Sequence, residues 1–446
     1  MSGASLSTAK ASEPGQEAEL CQWIANLKTD DLDLLNESVN WLCSHPVQSA
    51  PGLLDALVRA EEEEIRKNAA WVLGLLHPPE ALKPLFMVMS ADSSIEVRLG
   101  AAWALRQFNL QALAQLVFSK LEAPKDLSDI AAYLQSKSWK ARWYCCIYLN
   151  AHPVPEMVAE LMDRARDSDE DVLVRCASIL TLATYSAPEI NMLLRELVHD
   201  LNDQVKIEAI TMLSLKNQRE AIPDLLRQLQ AYNDNVRVAV VSALGALGNT
   251  RTAPHLAKAL KDPVALVRIN AAMALYDIAQ RLRRPHRNIA DMCFKALKDD
   301  NIYVVKNVVR TLGIVGDEDA LREIISQLKE ENRPAITANL VQALGMFRDA
   351  RALKTLSRLL RHPQAEVRFE VVGALLQIPG QRKAVYKLLL QALKDPSLMV
   401  KEHAVRALGS FGEPKAMAHL EKMKLQHPYG VINKSIAKAL DQLLGI

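Results

Sequence analysis

Apolar positions recur in this chain on two scales. Within segments of roughly a dozen residues they follow the 3.6-residue period of an amphipathic helix, and the segments themselves recur about every 31 residues. Each copy opens on a short loop with Asp or Pro, passes through Val-Arg or Val-Lys, and closes an Ala-rich stretch on Leu-Gly. The run from Asn235-Val236-Arg237 to Ala243-Leu244-Gly245 shows the pattern plainly, as do Val97-Arg98 to Ala104-Leu105 and Val400-Lys401 to Ala407-Leu408-Gly409. Further copies begin near Ile65-Arg66, Ala141-Arg142, Val174-Arg175, Val205-Lys206, Val267-Arg268, Val304-Val305, Ile336-Thr337, Val367-Arg368 and Ile432-Asn433. With a degenerate copy around Leu35 to Leu42, the chain holds about a dozen units. Counting the basic residue as position 1, apolar residues occupy positions 0, 4, 5, 7 and 8, the stripe of an inner helix. The preceding stretch, such as Thr252 to Leu260 or Ala352 to Leu360, carries its own helical period and predicts an outer helix. No run alternates as a strand would.

Turn chemistry agrees with paired helices. Asp262-Pro263 and Asp395-Pro396 suit a turn, because Pro cannot continue a helix and Asp accepts hydrogen bonds from free amides at the next helix start. Gly245, Gly248, Gly313, Gly316, Gly345, Gly409 and Gly412 lie near predicted inner-helix ends, where left-handed caps are expected.

The repeated register of Val-Arg, Ala-Ala and Ala-Leu-Gly over about residues 30–446 resembles the HEAT-repeat family, in the short form named after phycobilisome lyases. That resemblance implies an all-α fold, a right-handed α-solenoid of about twelve helix-pair repeats occupying residues 18–446 as a single domain. It does not choose an activity, since the family so resembled includes scaffolds, bilin lyase subunits, DNA-repair glycosylases and an iron hydroxylase.

Composition narrows the setting. Residues 1–17, rich in Ser, Ala and Gly, read as a disordered tail, neither signal peptide nor membrane anchor. No uninterrupted apolar run reaches the roughly 18 residues of a membrane span, so no membrane partner is expected. The six cysteines include no Cys-x-x-Cys pair, and Cys145 and Cys146 occupy apolar positions 4 and 5. They read as reduced core residues, which makes a cytoplasmic location the default. A net charge of +2 neither calls for a polyanion nor excludes one.

Two places break the period. Between Arg98 and Arg142 the spacing grows by about 13 residues, enough for an extra or elongated helix around Leu110 to Leu134. Between Arg268 and Val305 it grows by about six, which predicts an added loop with Arg281, Arg283, Arg284 and Arg287 that could grip phosphate or an acidic protein segment.

Across repeats, position 6 falls outside the apolar stripe and should form a ladder on or near a concave surface. It reads Trp41, Trp71, Trp103, Ile147, Leu180, Thr211, Ser242, Met273, Arg310, Gln342, Gly373, Arg406, Lys438: aromatic first, basic last. An exposed Trp row predicts an apolar docking groove for a protein or peptide, with Arg310, Arg406 and Lys438 attracting acidic groups. The alternative is that the Trp side chains are ordinary packing. At position 3, Asn270, Asn307 and Asn339 follow one another, and neighbouring amides are expected to hydrogen-bond and hold the register.

Catalytic chemistry finds little support in these residues. The family's hydroxylase carries His-Glu dyads that converge on metal. Here no His precedes Glu, Glu402-His403 stands alone in reverse order, and His45, His77, His152, His362 and His427 all precede Pro. No phosphate-binding Gly loop or catalytic triad spacing is found. The chain is therefore expected to be a non-catalytic scaffold or adaptor that binds a protein or peptide and needs no metal or cofactor. A nucleic-acid binder resembling the glycosylases, or a chaperone resembling the bilin lyases, is the alternative.

Overall fold

The computed structural model describes residues 14–29, 31–117, 127–282, 284–426 and 431–444. Helices and their connections make up all of them, with no strand among the described residues. Two compact units result, Met1–Leu193 and Leu194–Ile446. In the first, the inner helices are Leu32–Ser44, Glu63–Leu76, Ile95–Leu105, Trp139–Ala151 and Val172–Leu182; in the second they run from Asp203–Leu215 and Asp234–Leu247 through Ala365–Gln377, Leu398–Phe411 and Val431–Leu444. Residues 1–13 of the expected tail lie outside the described residues, and the first helix begins at Pro14.

The apolar stripe is the core. Val236, Val240, Val241, Ala243 and Leu244 are buried at positions 0, 4, 5, 7 and 8, and Val367, Val371, Val372, Ala374 and Leu375 repeat the set. All six cysteines are free thiols. Burial pushes Cys146 and Cys293 up to about 12 and holds Cys145 higher still, so these three stay protonated and unreactive at neutral pH.

The Leu-Gly signature does a different job from the one expected. Gly245, Gly345 and Gly409 sit inside their helices. A Cβ on each would lie 2.9 Å from the Cα of Ala274, Ala374 or Ala439 on the next inner helix. Gly and Ala therefore form a close crossing between successive inner helices, and the glycine is needed for approach rather than for a cap. Of the seven glycines read as caps, Gly412 alone takes the left-handed conformation, at φ 67°. Elsewhere His77, Asn217 and Arg348 adopt it instead.

The basic residue of the signature ties one repeat to the next. Arg237 donates to Asp262 at 2.8 and 3.0 Å, and its remaining nitrogen reaches the Ala231 and Tyr232 carbonyls of its own loop. Arg66 with Asp92, Arg142 with Glu170, Arg268 with Asp299 and Arg368 with Asp395 repeat this geometry within their units. Asp262 and Asp395 also accept from Val264 and Ser397 amides, as their turn positions predicted. Each carboxylate thus closes the next helix start while it holds the previous repeat's guanidinium. Burial works to raise the Asp262 and Asp395 carboxyls, but the guanidinium and the amide outweigh it and hold both below the ordinary carboxylate value.

Both breaks in the period resolve into helix. The first holds two short helices, Leu110–Val117 and Leu127–Leu134, where a regular repeat has one. At the second, most of the insertion lengthens the inner helix to Ala265–Leu282, 18 residues, and the next helix starts at Arg287. The expected Arg-rich loop therefore shrinks to the few residues between them.

Candidate functional site

Position 6 lies on an accessible face, as its place outside the stripe predicted. Trp71, Thr211, Ser242, Met273, Arg406 and Lys438 are exposed, while Trp41, Trp103, Leu180, Arg310, Gln342 and Gly373 are half-buried. Ile147 is the exception and is buried.

In the N-terminal unit the three Trp side chains have different surroundings. Trp41 is sandwiched, its ring 5.9 Å from Trp23 on the first helix and 4.3 Å from His45, one turn along. Trp103 lies over Gly74, where an added Cβ would meet its ring at 2.9 Å. Trp71 is the most open, 37% exposed, and Leu75 one helical turn later is 41% exposed. Trp143 is core, 1% exposed, and Trp139 takes the Arg98 guanidinium against its ring at 5.7 Å. The side chains of Trp71 and Leu75 are exposed, whereas Trp41 and Trp103 are partly packed. Trp23 belongs with Trp41, a contact that sequence reading missed because the two lie in different helices.

In the C-terminal unit Arg310, Arg406 and Lys438 have no ion-pair partner among the described residues. They differ in this from the buried arginines at position 1. Beside them the position-3 ladder does not form amide-to-amide links. Asn270 and Asn307 donate to the Leu266 and Tyr303 carbonyls one turn back in their own helices, and the Asn339 Nδ2 is buried without a partner. A side-chain amide of this length reaches its own helix's free lone pair more easily than the next repeat. The ladder continues into Glu370, raised by burial with Lys306 opposing, and into His403, lowered by burial and then by Arg406. The His403 ring lies tilted against Phe369, centroids 4.0 Å apart, with its Nδ1 3.1 Å from the Phe369 carbonyl.

The Arg-rich stretch is partly absorbed by the fold. Arg281 donates to the Gly245 and Gly248 carbonyls at 2.6 and 3.0 Å, which ties down the end of the preceding inner helix. Arg287 reaches Asp319 at 3.6 Å, Arg284 is exposed, and Arg283 lies outside the described residues.

No cluster of three or more His, Cys, Asp or Glu side chains among the described residues is placed to hold a metal ion. No helix among them is long and apolar enough to cross a membrane.

HEAT repeats are matched over residues 50–126, 190–276, 321–388 and 380–441, more than half of the chain, and the protein belongs to the HEAT-repeat family. Among its relatives is a deoxyhypusine hydroxylase of Danio rerio, 26% identical over 282 residues that cover 62% of this chain and 88% of that protein. The uncharacterized phycocyanin operon protein Z of Pseudanabaena tenuis is 25% identical over 169 residues, covering 37% of this chain and 82% of that one. Among solved structures the fold is similar to a chain from a study of Kap95p binding to RanGDP, at TM-score 0.56 and 14% identity over 96% of this chain. This chain spans about three-fifths of that longer array, with 60% of it covered. The hydroxylase relative corrects the expectation of a non-enzyme: an enzyme is built on an array of this kind, and the missing His-Glu order was too narrow a ground for exclusion.

Proposed function

We propose that the protein is a scaffold or adaptor that holds a protein or peptide partner on the open faces of its inner helices, in the cytoplasm. Apolar docking centres on Trp71 and Leu75 in the N-terminal unit, bordered by Trp41 and Trp103. Arg310, Arg406 and Lys438 attract acidic groups in the C-terminal unit. The observation that carries this reading is the exposed Trp71-Leu75 pair on a helix whose other face is core. A large aromatic side chain left open beside a second apolar one fits the anchor of a binding surface. The solved array that binds RanGDP supports protein binding as a use of this fold.

The test is a nuclease-treated pull-down from native lysate with wild type, Trp71→Ala and Trp103→Ala. Trp71→Ala is expected to keep the wild-type melting curve within about 1 kcal/mol and to lose a specific protein. Trp103→Ala is expected to lower stability, since its ring fills the space over Gly74. Unchanged capture by folded Trp71→Ala contradicts the proposed face.

The hydroxylase relative favours a second, catalytic reading of the same array. Hydroxylation of deoxyhypusine by the purified chain, with stoichiometric metal, is the result that would support it.

A further inference from the structure

An open cavity of about 270 Å³ lies between two neighbouring outer helices of the C-terminal unit, Ala253–Ala259 and Arg287–Ala296. Its floor is apolar, formed by Ala257, Leu260, Met292 and Ala296, and Lys258, Lys261 and Lys295 stand around it. The lysines are exposed and pair with no carboxylate among the described residues. The reason is visible in the repeat itself. Asp262, the acid that follows Lys261, is held by Arg237, and Asp299, just past the second helix, is held by Arg268. Asp291 precedes Lys295 by one turn but makes no ion pair with it. The inter-repeat pairing therefore takes Asp262 and Asp299, and the three lysines are left without an ion pair among the described residues.

We infer that this groove binds an acidic amphipathic peptide segment of a partner protein, with one large apolar side chain on the Met292 floor and flanking carboxylates on Lys258, Lys261 and Lys295. Size and polarity choose this occupant. The volume lies at the small end of the roughly 300–1,000 Å³ range of ligand sites and admits one Leu or Phe side chain. An apolar floor gives nothing to a phosphate backbone, whereas it rewards a hydrophobic anchor between acids. The groove lies on outer helices of the C-terminal unit, whereas Trp71 is on an inner helix of the N-terminal unit.

Fluorescence anisotropy of the full chain tests the inference with a short labelled peptide that carries Leu and Phe among Asp and Glu. Wild type should bind it. A Lys258→Glu, Lys261→Glu, Lys295→Glu variant, whose changes are all at exposed positions, should bind at least about tenfold more weakly, and Met292→Asp should weaken it similarly. Lys354→Glu, at an exposed lysine on another outer helix, should leave the affinity unchanged, which separates this groove from lysine charge elsewhere on the surface. Absence of binding by wild type, or undiminished binding by the charge-reversed variant, overturns the proposal. So does equal affinity for a peptide with Ser in place of Leu and Phe, or for a DNA duplex, since either defines a general polyanion patch.

Discussion

Replacing Asp395 with Ala is expected to destabilise the C-terminal unit by about 3–5 kcal/mol, the range for a buried ion pair that loses one partner. The Arg368 and Asp395 side chains are only 9% and 5% exposed and face each other through two hydrogen bonds of 2.7 and 2.8 Å. Without the carboxylate, the guanidinium keeps the His362 and Pro363 carbonyls and loses its counter-charge. Ser397 loses a side-chain acceptor at the start of helix Leu398–Phe411 in the same stroke. Because a repeat contacts mainly its neighbours, the damage should be local. Amide exchange in Ala365–Gln377 and Leu398–Phe411 should speed up more than about a hundredfold, at 1.4 kcal/mol per factor of ten. Replacing both partners, Arg368→Met with Asp395→Leu, should recover much of the loss. The same pair makes the fold acid-sensitive in a fixed direction. The folded carboxyl lies below its unfolded value of about 3.9, so its stabilisation is fully present above that pH and disappears as pH falls through the folded value. Asp262 adds to this, and acid unfolding monitored by circular dichroism should shift to higher pH when either Arg237 or Arg368 is replaced.

The second large effect runs against helix propensity. In a helix interior Gly→Ala normally gains up to about 1 kcal/mol. At Gly345 it is expected to cost about 1–3 kcal/mol, because the new methyl would stand 2.9 Å from the Ala374 Cα and 3.1 Å from its Cβ, where only movement of a whole helix makes room. Gly373 is the control. Its added Cβ would meet nothing closer than the His403 imidazole Cε1 at 3.4 Å, so Gly373→Ala should raise the melting temperature while Gly345→Ala lowers it. Equal gains at both positions would show that the inner helices do not need the close crossing.

These two cases also show where sequence reading stopped. The positions 0, 4, 5, 7 and 8 were legible because most repeats obey the same burial rule, as Val236, Val240, Val241, Ala243 and Leu244 do. The partner of the basic residue was not legible. Asp262 and Asp395 lie 25 and 27 residues downstream, in turns whose chemistry already accounted for an Asp. Recurrence of an acid 25 to 31 residues after Arg66, Arg142, Arg237, Arg268 and Arg368 was the available signal. Gly345 and Gly412 look alike in sequence, both near helix ends. Only the distance to Ala374 and the backbone angle separate a packing glycine from a cap. At the second insertion Ile278, Ala279 and Leu282 continue the apolar period beyond Leu275, which marks helix extension rather than a loop. For the candidate site, the accessible face was legible from position 6, but the degree of exposure was not. Trp41 and Trp103 find covers in Trp23 and in the Ala-Gly crossing at Gly74, which no single helix's pattern encodes.

The most direct measurement is photo-cross-linking in native lysate, with a benzophenone side chain placed at position 71, at Ser242 on the same ladder, and at Lys354 on an outer helix. A reproducible protein adduct at position 71 that is absent at Lys354 is the predicted result. Position 71 giving no adduct, or the same adducts as the outer-helix control, would contradict partner docking on the inner-helix face.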